Sequence, residues 1–232
     1  MQWMVLTVMG AALGTAMRRI RQARVSGDLE KARRLYRRAA WALGLTVYGA
    51  MAVQEGVLLL SGMLTWQTGL PLHLCSMMGL LALPMLISGR RILWHLSLYL
   101  GLPGAALALI FPAVLSTPWP RVTELSFFVL HAGLMLAPIL PLALGKRPSP
   151  WGAAAAGLFL LLMGAVVIHI NQRLGSNYLF VSAAIPGTPL HWLSERGMAG
   201  YRMALAALAA MLLGVEALGV RLIGRKRKKR AM

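Results

Sequence analysis

Apolar residues along this chain come in long unbroken runs, not in the short alternations of a half-buried sheet. A bilayer-crossing helix needs about 17–25 apolar residues. Seven runs approach or reach that length: 1–17, 41–62, 69–88, 92–115, 123–145, 151–171 and 199–223. The pattern predicts an all-α integral membrane protein, a bundle of seven transmembrane helices. The first run is the shortest, and it has no basic residues ahead of it; they follow it instead. That order predicts an inserted helix with its N-terminus outside, not a cleaved signal peptide.

The basic residues test this topology. The segments after the first, third, fifth and seventh runs, with the end of the last helix, hold 20 Lys and Arg; the other side holds Arg121, Arg173, Arg196 and Arg202. Basic residues collect on the cytoplasmic side of membrane proteins, so the split predicts a cytoplasmic C-terminus. Residues 1–40 read as the first helix plus a basic cytoplasmic segment, 41–223 as a six-helix core with an outer loop at 172–198, and 224–232 as a basic tail. Arg18 to Arg38 reads as a surface helix broken near Ser26-Gly27-Asp28, with Asp28 capping its second half. Its plainest role is orientation; docking to anionic lipid is the alternative.

Composition agrees. The chain is 58% hydrophobic and 13% charged, against about 25% charged in soluble domains. Its mean hydropathy is +0.67. One cysteine among 232 residues excludes a disulfide scaffold. The net charge of +18 follows the loops, so no nucleic-acid partner is expected. Small residues four apart, as in Gly152–Ala156, Ala153–Gly157 and Ala206–Ala210, predict close helix packing.

Ionisable and polar side chains inside lipid are costly and mark functional candidates. A rise of 1.5 Å per residue puts Glu55 roughly 10 Å, Cys75 roughly 8–9 Å and His131 roughly 11–12 Å below the outer boundary. His73 lies slightly shallower than Cys75, and His169, Asn171 and Gln172 end the sixth helix, so these positions share one outer-leaflet layer under the 172–198 loop. Pro71 reads as part of the third helix's first turn. On a regular helix His73 and Cys75 point to opposite sides, which makes His131 the better base for the thiol. Glu55 or Gln54 is the candidate to orient His131. His95 and Glu216 read as interfacial, the latter beside Arg221.

Three chemistries fit this layer. The first is acyl transfer by a Cys–His pair. The second is a metal or haem site from His73, Cys75, His131 and His169, which no ligand spacing supports; no metal or cofactor is expected. The third is a proton-coupled carrier using Glu55 and His131. The plain alternatives stay open: Cys75 as a small buried hydrophobe, and His131 as a hydrogen-bonded structural residue. A non-enzymatic carrier or accessory subunit that binds a lipid or protein partner is therefore the alternative to an enzyme. The residues name no protein partner.

Leu70-Pro71-Leu72-His73-Leu74-Cys75 resembles the signature of the YwaF family of bacterial multi-pass membrane proteins. Phe127-Phe128-Val129-Leu130-His131-Ala132-Gly133, continuing to Ala137-Pro138, resembles that family's second motif, and Asn177-Tyr178-Leu179-Phe180 its third. The similarity extends over about residues 41–220. More remotely, the chain is similar to the eukaryotic transmembrane-protein-164 lipid acyltransferases. That resemblance implies a bacterial cell-membrane protein with membrane phospholipids as partners, Cys75 as nucleophile, His131 as base and Asn177 in the covering loop, holding an oxyanion or headgroup. His73, Glu55 and His169 would support the pair.

Overall fold

The computed structural model describes residues 1–184, 191–195 and 197–229. Residues 185–190 of the expected outer loop, with Arg196 and Arg230 of the basic residues counted above, lie outside the described residues. The regular structure of the described residues is all helical, with no strand. Its helices are α1 (Gln2–Val25), α2 (Leu29–Leu60), α3 (Leu74–Ser88), α4 (Arg91–Leu96), α5 (Leu102–Ile110), α6 (Pro120–Leu136), α7 (Trp151–Leu174), α8 (His191–Glu195) and α9 (Met198–Lys229). A π-helical turn at Ser97–Gly101 joins α4 to α5, and a 3-10 stretch at Ala137–Leu144 continues α6. Among the described residues, five segments are long and apolar enough to cross a membrane: Leu29–Leu60, Arg91–Ile110, Pro120–Leu144, Trp151–Leu174 and Met198–Gly224; Leu74–Ser88 is a shorter apolar helix. The first of the seven expected spans is not among these segments, because the apolar part of α1 runs directly into Arg18, Arg19, Arg21 and Arg24 on one continuous helix.

Several boundaries correct the sequence reading. No separate surface helix covers Arg18–Arg38; the basic residues extend α1 and α2, which meet at a tight turn. Asp28 does cap α2, accepting from the Lys31 N–H at 2.9 Å. The third helix starts at Leu74, not Gly69, so Pro71 stands in a turn ahead of it. The fourth span ends at Ile110, before the prolines at 112 and 118. The fifth begins at Pro120, whose missing N–H costs nothing in a first turn. His95 is buried between the rings of Trp94 and Tyr99, not interfacial.

The helices form two compact units. One comprises residues 1–64 and 74–147; the other comprises 65–73 and 148–232. In the first, α2 packs against α1, α3 and α6. Ala40, Gly44, Val47 and Ala50 give α2 a buried stripe at helical spacing. Glycines opposite it admit the contact: a methyl group on Gly133 would stand 2.5 Å from Val47 Cγ2. In the second unit, α7 packs on α9, with Leu213 Cδ1 3.5 Å from where a Gly157 Cβ would be.

Two prolines free backbone carbonyls inside the first unit, and side chains of neighbouring helices take them up. Pro84 stands within α3 and has no N–H for the Leu80 carbonyl one turn back. The Tyr48 hydroxyl donates to that carbonyl at 2.7 Å. In the 3-10 stretch the partner of the Pro138 carbonyl would be residue 141, which is also proline. Trp94 Nε1 donates to it at 2.8 Å. At the far end of the same stretch, Arg24 donates to the Leu144 carbonyl at 3.3 Å and Lys146 Nζ to the Gly89 carbonyl at 3.2 Å. Burial and the nearby Arg91 charge hold the Lys146 ammonium below the usual lysine range.

Replacing Trp94 by Phe strands a buried carbonyl and should destabilise the protein by about 1–3 kcal/mol beyond the lost ring area. Pro141→Ala restores an N–H, so Trp94→Phe should cost less in that background. Thermal unfolding in detergent across the double-mutant cycle measures the difference; an equal cost in both backgrounds contradicts the pairing.

Candidate functional site

Cys75 and His131 lie in the same compact unit, on helices that pack together. Cys75 is the second residue of α3, half-buried and free. The helix starts later than the sequence pattern predicts, so the thiol stands in its first turn. His131 is 5% exposed, in the middle of α6. Its ring lies over Phe127, with centroids 4.1 Å apart. Its Nδ1 sits 2.7 Å from the Phe127 carbonyl oxygen. A carbonyl only accepts, so Nδ1 carries the proton and Nε2 keeps the lone pair. Among the described residues nothing hydrogen-bonds Nε2, and no hydrogen bond joins Cys75 to His131.

Glu55 does not orient His131. It faces outward from α2 and has neither a hydrogen bond nor an ion pair among the described residues. The reason is helical phase. Gln54, not Glu55, continues the stripe of Val47 and Ala50, and its buried Nε2 has no hydrogen-bond partner among the described residues. His169 likewise faces outward from α7. Glu216 is not paired with Arg221; its Oε2 is buried on α9 and unpartnered among the described residues.

His73 is organised by the second unit, and it is not on a helix at all, so the opposite-faces argument does not apply to it. Its ring packs against Tyr178 and Phe180, with centroids 5.2 and 5.0 Å away. Tyr178 is fully buried. Its hydroxyl accepts from the Leu70 N–H and donates to the Trp66 carbonyl, each at 2.9 Å. These bonds satisfy backbone groups that helix would otherwise satisfy, which explains the late start of α3.

Asn171 builds this knot. It is 2% exposed, and its side chain accepts from the Tyr178 N–H and the Ser176 hydroxyl while donating to the Tyr178 carbonyl. Asn177 is committed to the next turn. Its Oδ1 accepts from the Ser182 and Ala183 N–H groups, and its Nδ2 donates to the Ala183 carbonyl. Leu179 and Phe180 are held at φ 56° and 54°, a left-handed conformation that costs non-glycine residues about 1–3 kcal/mol. Tyr201 and Arg202 of α9 donate to the Phe180 and Val181 carbonyls and hold the turn in place.

The sequence reading therefore found the polar positions but missed two structural roles. Tyr178 appeared only as a motif residue and Tyr201 not at all. Nothing in their spacing signals a hydroxyl that bonds distant backbone, more than a hundred residues away for Tyr178 and 21 for Tyr201. Among the described residues, no three His, Cys, Asp or Glu side chains gather as a metal site.

Tyr178→Phe removes the partner of the Leu70 N–H and should cost about 1–3 kcal/mol. Limited proteolysis should then cut preferentially between residues 65 and 73. Unchanged cleavage there would show that the hydroxyl does not hold the segment.

Neither the curated proteins nor the solved structures contain a match to this chain. The TMEM164 family matches residues 1–216, nearly the whole chain and both motif-bearing units. The chain is thus a multi-pass, all-helical membrane protein that belongs to the TMEM164 family.

Proposed function

We propose that this protein moves an acyl chain between membrane phospholipids through a thioester on Cys75. The observation that carries the reading is the state of His131. Its Nδ1 proton is fixed on the Phe127 carbonyl, so Nε2 keeps its lone pair, unbonded among the described residues, in the same unit as the one thiol of the sequence.

The chemistry balances without a cofactor. Nε2 takes the Cys75 proton, and the thiolate attacks the ester carbonyl carbon of a donor phospholipid. The carbon–sulfur bond forms, the ester carbon–oxygen bond breaks, and His131 returns the proton to the leaving lysolipid alkoxide. A second lysolipid hydroxyl then attacks the thioester, giving up its proton through Nε2 and releasing the thiol. Catalytic pairs are often apart before substrate binds, which accommodates the missing bond between Cys75 and His131. His73 is a positioning residue, anchored by Tyr178 and Phe180 just ahead of the nucleophile. Asn177 shapes the loop. Glu55 and His169 receive no step.

The test is exchange of a deuterated acyl chain between two phospholipids in proteoliposomes, followed by mass spectrometry of the lipids. Cys75→Ser and His131→Ala should each lower exchange by roughly 100-fold or more while the variants elute and melt as folded protein. Exchange at the normal rate in Cys75→Ser would end the thioester reading and favour a non-enzymatic, lipid-binding role.

A further inference from the structure

The first unit carries an apolar groove of about 460 Å³ between α2 and α6. Gly49 and Val53 form one wall, and Val122, Leu125 and Val129 form the other. Along α6, positions 122, 125 and 129 are spaced as one helical face. The groove from Arg121 to Val129 is roughly 12 Å long at helical rise. Its lining is apolar almost throughout: Ser126 gives its hydroxyl to the Thr123 carbonyl, and Arg121, in the first turn of α6, closes one end with its stem. Arg121 is exposed and makes no ion pair or hydrogen bond among the described residues, although Glu124 follows three positions later on the same helix.

A strip of apolar surface ending in one unneutralised guanidinium at a helix end has the polarity of a phospholipid. We propose that this groove seats a phospholipid, with an acyl chain along Val53, Leu125 and Val129 and the headgroup phosphate on Arg121. Arginine suits the phosphate because its planar fork donates two hydrogen bonds to one anion. The open end of the groove is Gly49: a Cβ built there meets nothing within 4 Å. A side chain at 49 would occupy the space of the acyl chain and nothing else. The proposal rests on the transfer reading only in naming the bound lipid as substrate; the seat itself stands on the groove and its charge.

Dialkyl-ether phosphatidylglycerol has no ester to transfer, so its binding is read apart from any step at Cys75. Binding of this lipid and of a dialkylglycerol lacking phosphate is measured by native mass spectrometry of the full chain in detergent. Arg121→Gln should weaken the ether phospholipid about tenfold and leave the dialkylglycerol unchanged. Gly49→Leu should weaken both, and should raise the melting temperature, since leucine favours helix over glycine. Equal binding of both lipids by the wild type and both variants would overturn the seat and mark the groove as ordinary lipid-facing surface. That failure would leave exchange through Cys75 untouched. Conversely, a silent Cys75→Ser with a clear Arg121 effect would refute transfer and keep the seat.

Discussion

Lipid offers a backbone carbonyl no hydrogen-bond partner, and this chain places prolines inside its membrane helices. Pro84 frees the Leu80 carbonyl, and Pro141 leaves the Pro138 carbonyl without a donor. Tyr48 of α2 and Trp94 of α4 supply the missing donors. Each of these bonds crosses from one helix to another, so satisfying the backbone also fixes which helices are neighbours. The close approach of Val47 to Gly133 works in the same direction, by removing the Cβ that would hold α2 and α6 apart.

The second unit solves a different problem with the same rule. Residues 65–73 are not helical, yet their backbone groups are bonded, because Tyr178 turns its hydroxyl to Trp66 and Leu70. Asn171 holds Tyr178 by both its N–H and its carbonyl. The strain at Leu179 and Phe180 persists because Tyr201 and Arg202 fix the carbonyls around them. Strained turns held this firmly are common where a chain must present a side chain in one orientation. Here Phe180 of the strained turn packs against the His73 ring.

Five of the seven expected spans were legible in the sequence because a bilayer demands long apolar runs; the first runs into arginines, and the third forms only a shorter helix. The Asp28 cap was legible because it is local. What could not be read was anything that depends on which element lies opposite. Depth alone left Glu55 and Gln54 as equal candidates to orient His131; one position of helical phase puts Gln54, not Glu55, on the buried stripe. Pro71 looked like a helix start because proline suits a first turn, but the distant Tyr178 hydroxyl makes helix unnecessary there. His95 seemed interfacial by its place near a helix end, whereas its ring is packed between Trp94 and Tyr99.

The central claim is that the thiol of Cys75 carries an acyl group. Intact mass spectrometry after incubation with mixed phospholipids tests it directly, since the chain has one cysteine to acylate. The account predicts an added acyl mass that hydroxylamine removes and that Cys75→Ala never acquires. An adduct that survives hydroxylamine, or that appears equally on Cys75→Ala, would contradict it.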